Sequence, residues 1–236
     1  PFLYAENIIG DVFDSERFKS VLLEGKYDAV INCIGVLNKD AENNPSKAVY
    51  LNSYLPHLIA DTLKATPTKL IHMSTDCVFK GNSGPYYENS LCDGETFYDR
   101  TKALGEVNDK KNLTLRNSII GPDINKNGIG LFNWFMKQKG TINGYTGAIW
   151  TGVTTLTLAK AMEKAIEEDL CGLYNLVNNE TISKFDLLEL FNKNFRNKKI
   201  IINVDKGLQL DKSLRNTRDN FKFKVPSYRQ MILEIN

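Results

Sequence analysis

Tyr98 and Lys102 stand four residues apart in Phe97-Tyr98-Asp99-Arg100-Thr101-Lys102, and on a helix that spacing puts both side chains on one face. A phenol with an ordinary pKa near ~10 is a poor acid at neutral pH, and a neighbouring ammonium favours its ionised form. The pair therefore reads as a proton donor. Ser74-Thr75-Asp76 follows the apolar run Leu70-Ile71-His72-Met73, so the Thr75 hydroxyl falls where a strand would end and could hydrogen-bond the same reacting oxygen. Tyr-x-x-x-Lys alone is most often an amphipathic helix surface. Its coupling to a strand-terminal Ser-Thr-Asp is what points to Thr75, Tyr98 and Lys102 converging on one carbonyl.

The surrounding pattern supplies the elements that would hold them. Ile8-Ile9-Gly10-Asp11-Val12 reads as a short strand, followed by Asp14 as a helix N-cap and by Phe18, Val21 and Leu22 at helical spacing. Residues 29–34, closed by Gly35, form a continuous apolar run of the kind found in strands buried on both faces. Asn44-Pro45 opens a long helix running to Leu63, residues 98–107 are helical in composition, and Leu113-Thr114-Leu115-Arg116 is the next strand. This alternation predicts an α/β fold with a doubly wound parallel sheet, whose ligands bind beyond the carboxyl ends of the strands. Past Gly121-Pro122 the beat breaks into a glycine-rich stretch, then a helix (156–166), a strand (173–177), a helix (183–195) and a strand (200–204), which together read as a smaller lobe.

Composition narrows the function classes. The 236 residues are 42% hydrophobic and 25% charged, a globular balance, and 30 basic against 28 acidic residues leave a net charge of only +2. That field is too weak for a protein whose partner is nucleic acid. Cys33, Cys77, Cys92 and Cys171 are widely separated and form no zinc-binding spacing, so they read as reduced thiols in a cytoplasmic protein. No apolar run approaches the ~18 residues of a membrane span, and Pro1-Phe2-Leu3-Tyr4 lacks the character of a signal peptide. His57 and His72 have no acidic or cysteine partner at ligand spacing and read as structural. Met73, with Phe132, Trp134 and Phe135, reads as packing, and residues 193–199 as a solvated basic surface.

The stretch Leu70-Ile71-His72-Met73-Ser74-Thr75-Asp76-Cys77-Val78-Phe79-Lys80-Gly81, together with Phe97-Tyr98-Asp99-Arg100-Thr101-Lys102-Ala103-Leu104-Gly105-Glu106, resembles the extended short-chain dehydrogenase/reductases, in particular their dTDP-4-dehydrorhamnose reductase-like branch. Gly10-Asp11-Val12, Asn32-Cys33-Ile34-Gly35 and Leu115-Arg116-Asn117-Ser118-Ile119-Ile120-Gly121 fall in the same order. The resemblance implies a Rossmann-like NAD(P)-binding domain over residues 1–120 and a substrate-binding lobe over 121–236, with about 153–178 returning to the first domain. It implies NAD(P)H as cofactor, a nucleotide-sugar substrate and Thr75, Tyr98 and Lys102 as the catalytic triad. Asp11, Val12, Cys33, Ile34, Gly35 and Ser74, with Tyr98 and Lys102, would line the cofactor. Asp76, Val78, Phe79, Asn117 and Trp150 would face the substrate.

Two departures accompany the resemblance. The family opens with a strand and a Gly-x-x-Gly-x-x-Gly turn that cradles a pyrophosphate, and no such run occurs here. The expectation is therefore of an N-terminally truncated sheet, with roughly fifty residues of a parent chain preceding Pro1. Ile119 stands where the rhamnose enzymes resemble one another in having tryptophan. The leading activity is reduction of a 4-keto group on a nucleotide-activated deoxysugar, with an epimerase or dehydratase of the same superfamily, or a non-catalytic NAD(P)-binding regulatory subunit, as alternatives. A homo-oligomer stays open.

Overall fold

The computed structural model describes residues 6–124, 128 and 130–235; the opening Pro1-Phe2-Leu3-Tyr4 lies outside them. Helix α1 (Ser15–Glu24) begins where the Asp14 carboxylate accepts the Arg17 N–H at 3.2 Å. Strand β1 (Ala29–Asn32) follows, and a helical run from Pro45, loosened into a π-turn at Val49–Tyr54, ends in α2 (Leu55–Thr62). After β2 (Lys69–Met73) comes α3 (Phe97–Leu104), opened by a reciprocal cap in which Thr96 Oγ1 accepts the Asp99 N–H and the Asp99 carboxylate accepts the Thr96 N–H. Strand β3 (Leu113–Arg116), helix α4 (Thr155–Glu167) and strand β4 (Gly172–Asn175) complete the sheet. Helix α5 (Lys184–Phe195) is capped by Ser183 and packs in the second half.

The sheet is four-stranded and wholly parallel, in the order β1-β2-β3-β4. Ile31 lies opposite Ile71, Ile71 opposite Leu113, and Leu113 opposite Gly172. β2 and β3 are buried on both faces, as continuous apolar runs predict. β1 is not: it is an edge strand, with Ile31 44% exposed. An apolar run signals burial only when both faces are covered, and here one side of the sheet ends at this strand. Ile8-Ile9-Gly10-Asp11-Val12 likewise differs from its expected strand. It is irregular and enters a turn at Val12, with Ile8 and Ile9 exposed, because a strand needs a ladder partner and none of the described strands pairs with it.

Four short pairings among the described residues shape the rest: Thr141–Tyr145 runs parallel to Ile201–Asp205, Ser118–Ile120 parallel to Gly152–Thr154, and Ala148–Trp150 lies antiparallel to Ile182–Ser183 and parallel to Leu210–Asp211. One apolar cluster joins Ile71, Leu113 and Leu115 of the sheet to Phe132, Phe135 and Phe191, so both halves share a core. Trp134 departs from its expected packing role and is exposed. Arg196 is not merely solvated; its guanidinium donates to the carbonyls of Met136 (2.6 Å) and Gln138 (3.1 Å). Among the described residues, no helix is long and apolar enough to cross a membrane.

Candidate active site

The site forms where β2 ends. Ser74 N–H donates to Leu115 O at 2.8 Å, carrying the ladder one residue past the strand. Thr75 then caps the short 3₁₀ turn Asp76–Val78, its Oγ1 accepting the Cys77 N–H at 3.1 Å and lying 3.2 Å from Asp76 Oδ1. Helix α3 presents Tyr98 and Lys102, both buried, toward this end. Tyr98 and Thr75 line the same cleft, and Lys102 Nζ donates to Met73 O at 2.5 Å with His72 Nε2 3.5 Å away.

Two clefts meet here. One, of roughly 560 Å³, is lined by Ser74, Thr75, Tyr98, Asn117 and the stretch after Ser118. The other, of roughly 260 Å³, is lined by Cys33, Ile34, Gly35, Ser74, Tyr98 and Lys102 among others. Larger than either is a hollow of roughly 700 Å³ lined by Tyr27, Pro67 and Lys69, at the opposite ends of the strands, where none of these groups lies.

The electrostatics differ from the simple tyrosine–lysine expectation. Burial pushes the Tyr98 phenol well above its ordinary pKa, with Cys77, Asp76 and Asp99 adding to the rise and the Thr75 side chain opposing it. Burial lowers Lys102 to about 8, against a smaller opposing effect of Glu106. As pH rises Lys102 thus loses its proton before Tyr98 can, so where the phenol would ionise no ammonium remains beside it. The same ordering makes Lys102 a good source of protons for a phenolate once one forms.

The remaining expected residues divide. Ser74 lines both clefts, but its hydroxyl donates to Glu106 Oε1 at 2.6 Å. Asp11 and Val12 line a separate hollow of roughly 270 Å³ that touches the cofactor-side stretch only through Ile34. Asp11 Oδ1 accepts the Phe13 N–H, and Val12 O accepts from Tyr50. Asn117 lines the larger cleft, 2% exposed, with Oδ1 buried and unpartnered. Asp76 is buried beside Thr75. Val78, Phe79 and Trp150 lie in the packed interior. Val78 and Phe79 carry no exposed surface and pack with Tyr86, Val177 and Leu214, the Phe79 ring stacked on Tyr86 at 4.1 Å. Trp150 belongs to the large core cluster against Tyr228, and neither cleft at Thr75 includes it. Their side chains are committed to packing, which a motif match does not reveal.

Several neighbours carry the site without having been singled out. Glu106 and Arg116 form a buried two-pronged ion pair, with Nε to Oε1 at 2.8 Å and Nη2 to Oε2 at 2.6 Å, and Arg116 also lies over Phe79. An acidic and a basic residue ten apart, flanking a turn between helix and strand, was the available signal. Lys184 opens α5 with its ammonium 5.0 Å from the Trp150 ring, and burial lowers it to about 8. No spacing rule connects Lys184 to Asp76, because the two meet only in the fold.

The nicotinamide cofactor implied by the resemblance fits the smaller cleft in part. An apolar wall of Ile34, Ile119 and Leu158 faces the Lys102 ammonium, which suits a flat heteroaromatic ring carrying a hydroxylated sugar. The unpartnered Asn117 Oδ1 offers an acceptor next door. The fit covers this end only, since the chain has no Gly-x-x-Gly-x-x-Gly run for a pyrophosphate.

The chain is similar to known proteins. The dTDP-4-dehydrorhamnose reductase of Streptomyces griseus is 34% identical over 98 residues, 41% of this chain and 32% of that protein. The methionine adenosyltransferase 2 subunit beta of Xenopus laevis is 25% identical over 191 residues, 75% of this chain and 57% of that one. The match thus spans about a third of the first relative and somewhat over half of the second. A crystal structure of dTDP-4-dehydrorhamnose reductase from Bacillus anthracis in complex with NADP superposes with a TM-score of 0.81 at 19% identity, covering 95% of this chain and 85% of that one, so the fold is the same. The model of the RmlD substrate binding domain matches residues 5–230, and with that match the chain belongs to this family, the reductase-like branch of the extended short-chain dehydrogenases.

Proposed function

We propose that the protein reduces the 4-keto group of a nucleotide-activated deoxysugar at the expense of NAD(P)H. The observation that carries this reading is that Thr75 and Tyr98 line one cleft where two clefts meet, with Lys102 on the same helix face as Tyr98. When bound, the reduced nicotinamide would supply hydride to the carbonyl carbon. Lys102, Ser74 and the open backbone at 33–35 would hold its nicotinamide end, and the larger cleft would take the sugar. Thr75 orients the carbonyl oxygen, and Tyr98 gives it a proton as negative charge builds there. Lys102, the more acidic of the two buried groups, then reprotonates Tyr98.

A second reading rests on the likeness to a methionine adenosyltransferase subunit, which covers 75% of the chain, against 80% for the dTDP-4-dehydrorhamnose reductase of Salmonella typhimurium. A non-catalytic subunit that keeps the fold would account for it, although such a role gives no reason to retain Thr75, Tyr98 and Lys102 together. Steady-state assays with NADH and NADPH over a panel of 4-keto nucleotide sugars decide among the readings. Oxidised cofactor released one-for-one with reduced sugar is expected. Sugar conversion without net cofactor consumption would replace the reductase with an epimerase or dehydratase, and no conversion of any sugar would leave the regulatory subunit.

A further inference from the structure

His72 is one of two histidines in the chain and has no exposed surface in β2. It lies between Asn32, its ladder partner on β1, and Lys102 of α3. The Asn32 side-chain oxygen accepts the Ile34 N–H at 3.0 Å, which turns its amide nitrogen toward His72 Nδ1 at 3.2 Å. Nδ1 therefore accepts, and a neutral imidazole then carries its single proton on Nε2. Neutral is the form the site enforces: burial first, then Lys102 and His57, hold His72 well below the ordinary histidine range. Nε2 faces Lys102 Nζ at 3.5 Å. A protonated Nε2 cannot accept from an ammonium, but it can donate to the lone pair of a neutral amine.

We propose that His72 is a positioning residue for Lys102: fixed by Asn32 with its proton on Nε2, it donates to the neutral amine and lets Lys102 hand a proton to Tyr98 without leaving an unpaired group in the core. This rests on the reductase reading above and specifies how its proton is resupplied. The Tyr98 O–H bond breaks as the carbonyl oxygen is protonated. An N–H bond of Lys102 then breaks as its proton passes to the phenolate. The amine, still bonded to Met73 O, gains the His72 N–H, and a proton from bulk solvent, entering by the smaller cleft, restores the ammonium. The other titratable groups acting on this centre are Glu106, two residues past the end of α3, which favours the ammonium, and His57 of α2, which acts on His72. Glu106 is itself held by Arg116.

The test needs no turnover. With only two histidines, long-range proton–nitrogen NMR on ¹⁵N-histidine-labelled protein resolves both rings, and His57→Gln assigns them. His72 should be in the Nε2–H form, should not itself titrate between about pH 5 and 8, and its Nε2 signal should follow a transition near pH 8 that disappears in Lys102→Met. An Nδ1–H tautomer, or an Nε2 signal indifferent to Lys102→Met, would overturn the proposal. In kinetics, His72→Phe should lower kcat on the order of tenfold with KM unchanged, and move the alkaline limb of the profile upward because the neutral amine has lost its donor. His72→Gln, which offers an amide N–H near the place of Nε2, should restore both. A glutamine variant as slow as the phenylalanine one, with both melting like the parent, would show a packing role only and refute the relay. Absence of any sugar reduction would instead defeat the reductase reading, while the tautomer and its Lys102-dependent transition still decide the His72–Lys102 coupling.

Discussion

Tyr98 and Lys102 have opposite displacements with one cause. Burial opposes charge, raising the phenol and lowering the ammonium, and the proton order that results lets the lysine serve the tyrosine. Tyr98→Phe keeps ring and helix but deletes the proton donor, so kcat should fall by about 10²- to 10⁴-fold while stability changes by less than ~1 kcal/mol; steady-state rates and a melting curve on the same preparation check both. Lys102 also writes a pH signature into stability. Between about 8 and 10.5 the unfolded chain holds a proton that the folded chain has lost, so folding becomes more favourable as pH rises through that window. Lys184, lowered to about 8 as well, contributes in the same direction, and comparison with Lys102→Met isolates Lys102. The stability of that variant relative to the parent should fall by about 3 kcal/mol across the window, measured by denaturant unfolding at fixed pH values.

At the scale of elements, the site depends on how α3 is started and how its end is tied down. The Thr96–Asp99 cap begins the helix two residues before Tyr98, and Thr96→Ala should cost about 1 kcal/mol, seen as a lower melting temperature. At the other end Glu106 is clamped by Arg116 and takes the Ser74 hydroxyl, so one carboxylate links α3, β3 and the end of β2. Glu106→Gln leaves a guanidinium buried with a weakened partner and should destabilise by about 3–5 kcal/mol, with chemical denaturation as the readout. These dependencies were only partly legible beforehand. The four-residue spacing of Tyr98 and Lys102 and the strand before Thr75 could be read because helix faces and buried runs are local properties. The Glu106–Arg116 clamp, the Asn32–His72–Lys102 contacts and Lys184 beside Trp150 join residues from different elements, and no periodicity encodes them. Val78, Phe79 and Trp150 show the converse: a family motif marks a position, but their burial in packing is set by the fold and is not written in the motif.

Over the whole molecule, the parallel sheet and its helices follow the sequence closely from β1 to α5, while the edge does not. The run ending at Ile34 reads as interior yet stands half open at β1, and Ile8-Ile9-Gly10-Asp11-Val12 has strand composition without a strand to pair with, because burial and pairing belong to neighbours rather than to the segment itself. A shared core across both halves also means that ligand in the clefts should stabilise the chain as a unit. NAD(P)H at about a hundred times its dissociation constant should add about 2.7 kcal/mol, and Lys102→Met should shrink that gain in a thermal-shift titration. The central claim, that Thr75, Tyr98 and Lys102 serve carbonyl reduction, is met most directly by following deuterium from NADPH deuterated at its transferable position into the sugar. The expected result is label at C4 of a 4-keto nucleotide sugar with the parent protein, and a rate reduced at least a hundredfold in a normally melting Tyr98→Phe variant. Folded parent protein that binds the cofactor yet delivers no label to any sugar, or a Tyr98→Phe variant that delivers it at the parent rate, would contradict the account.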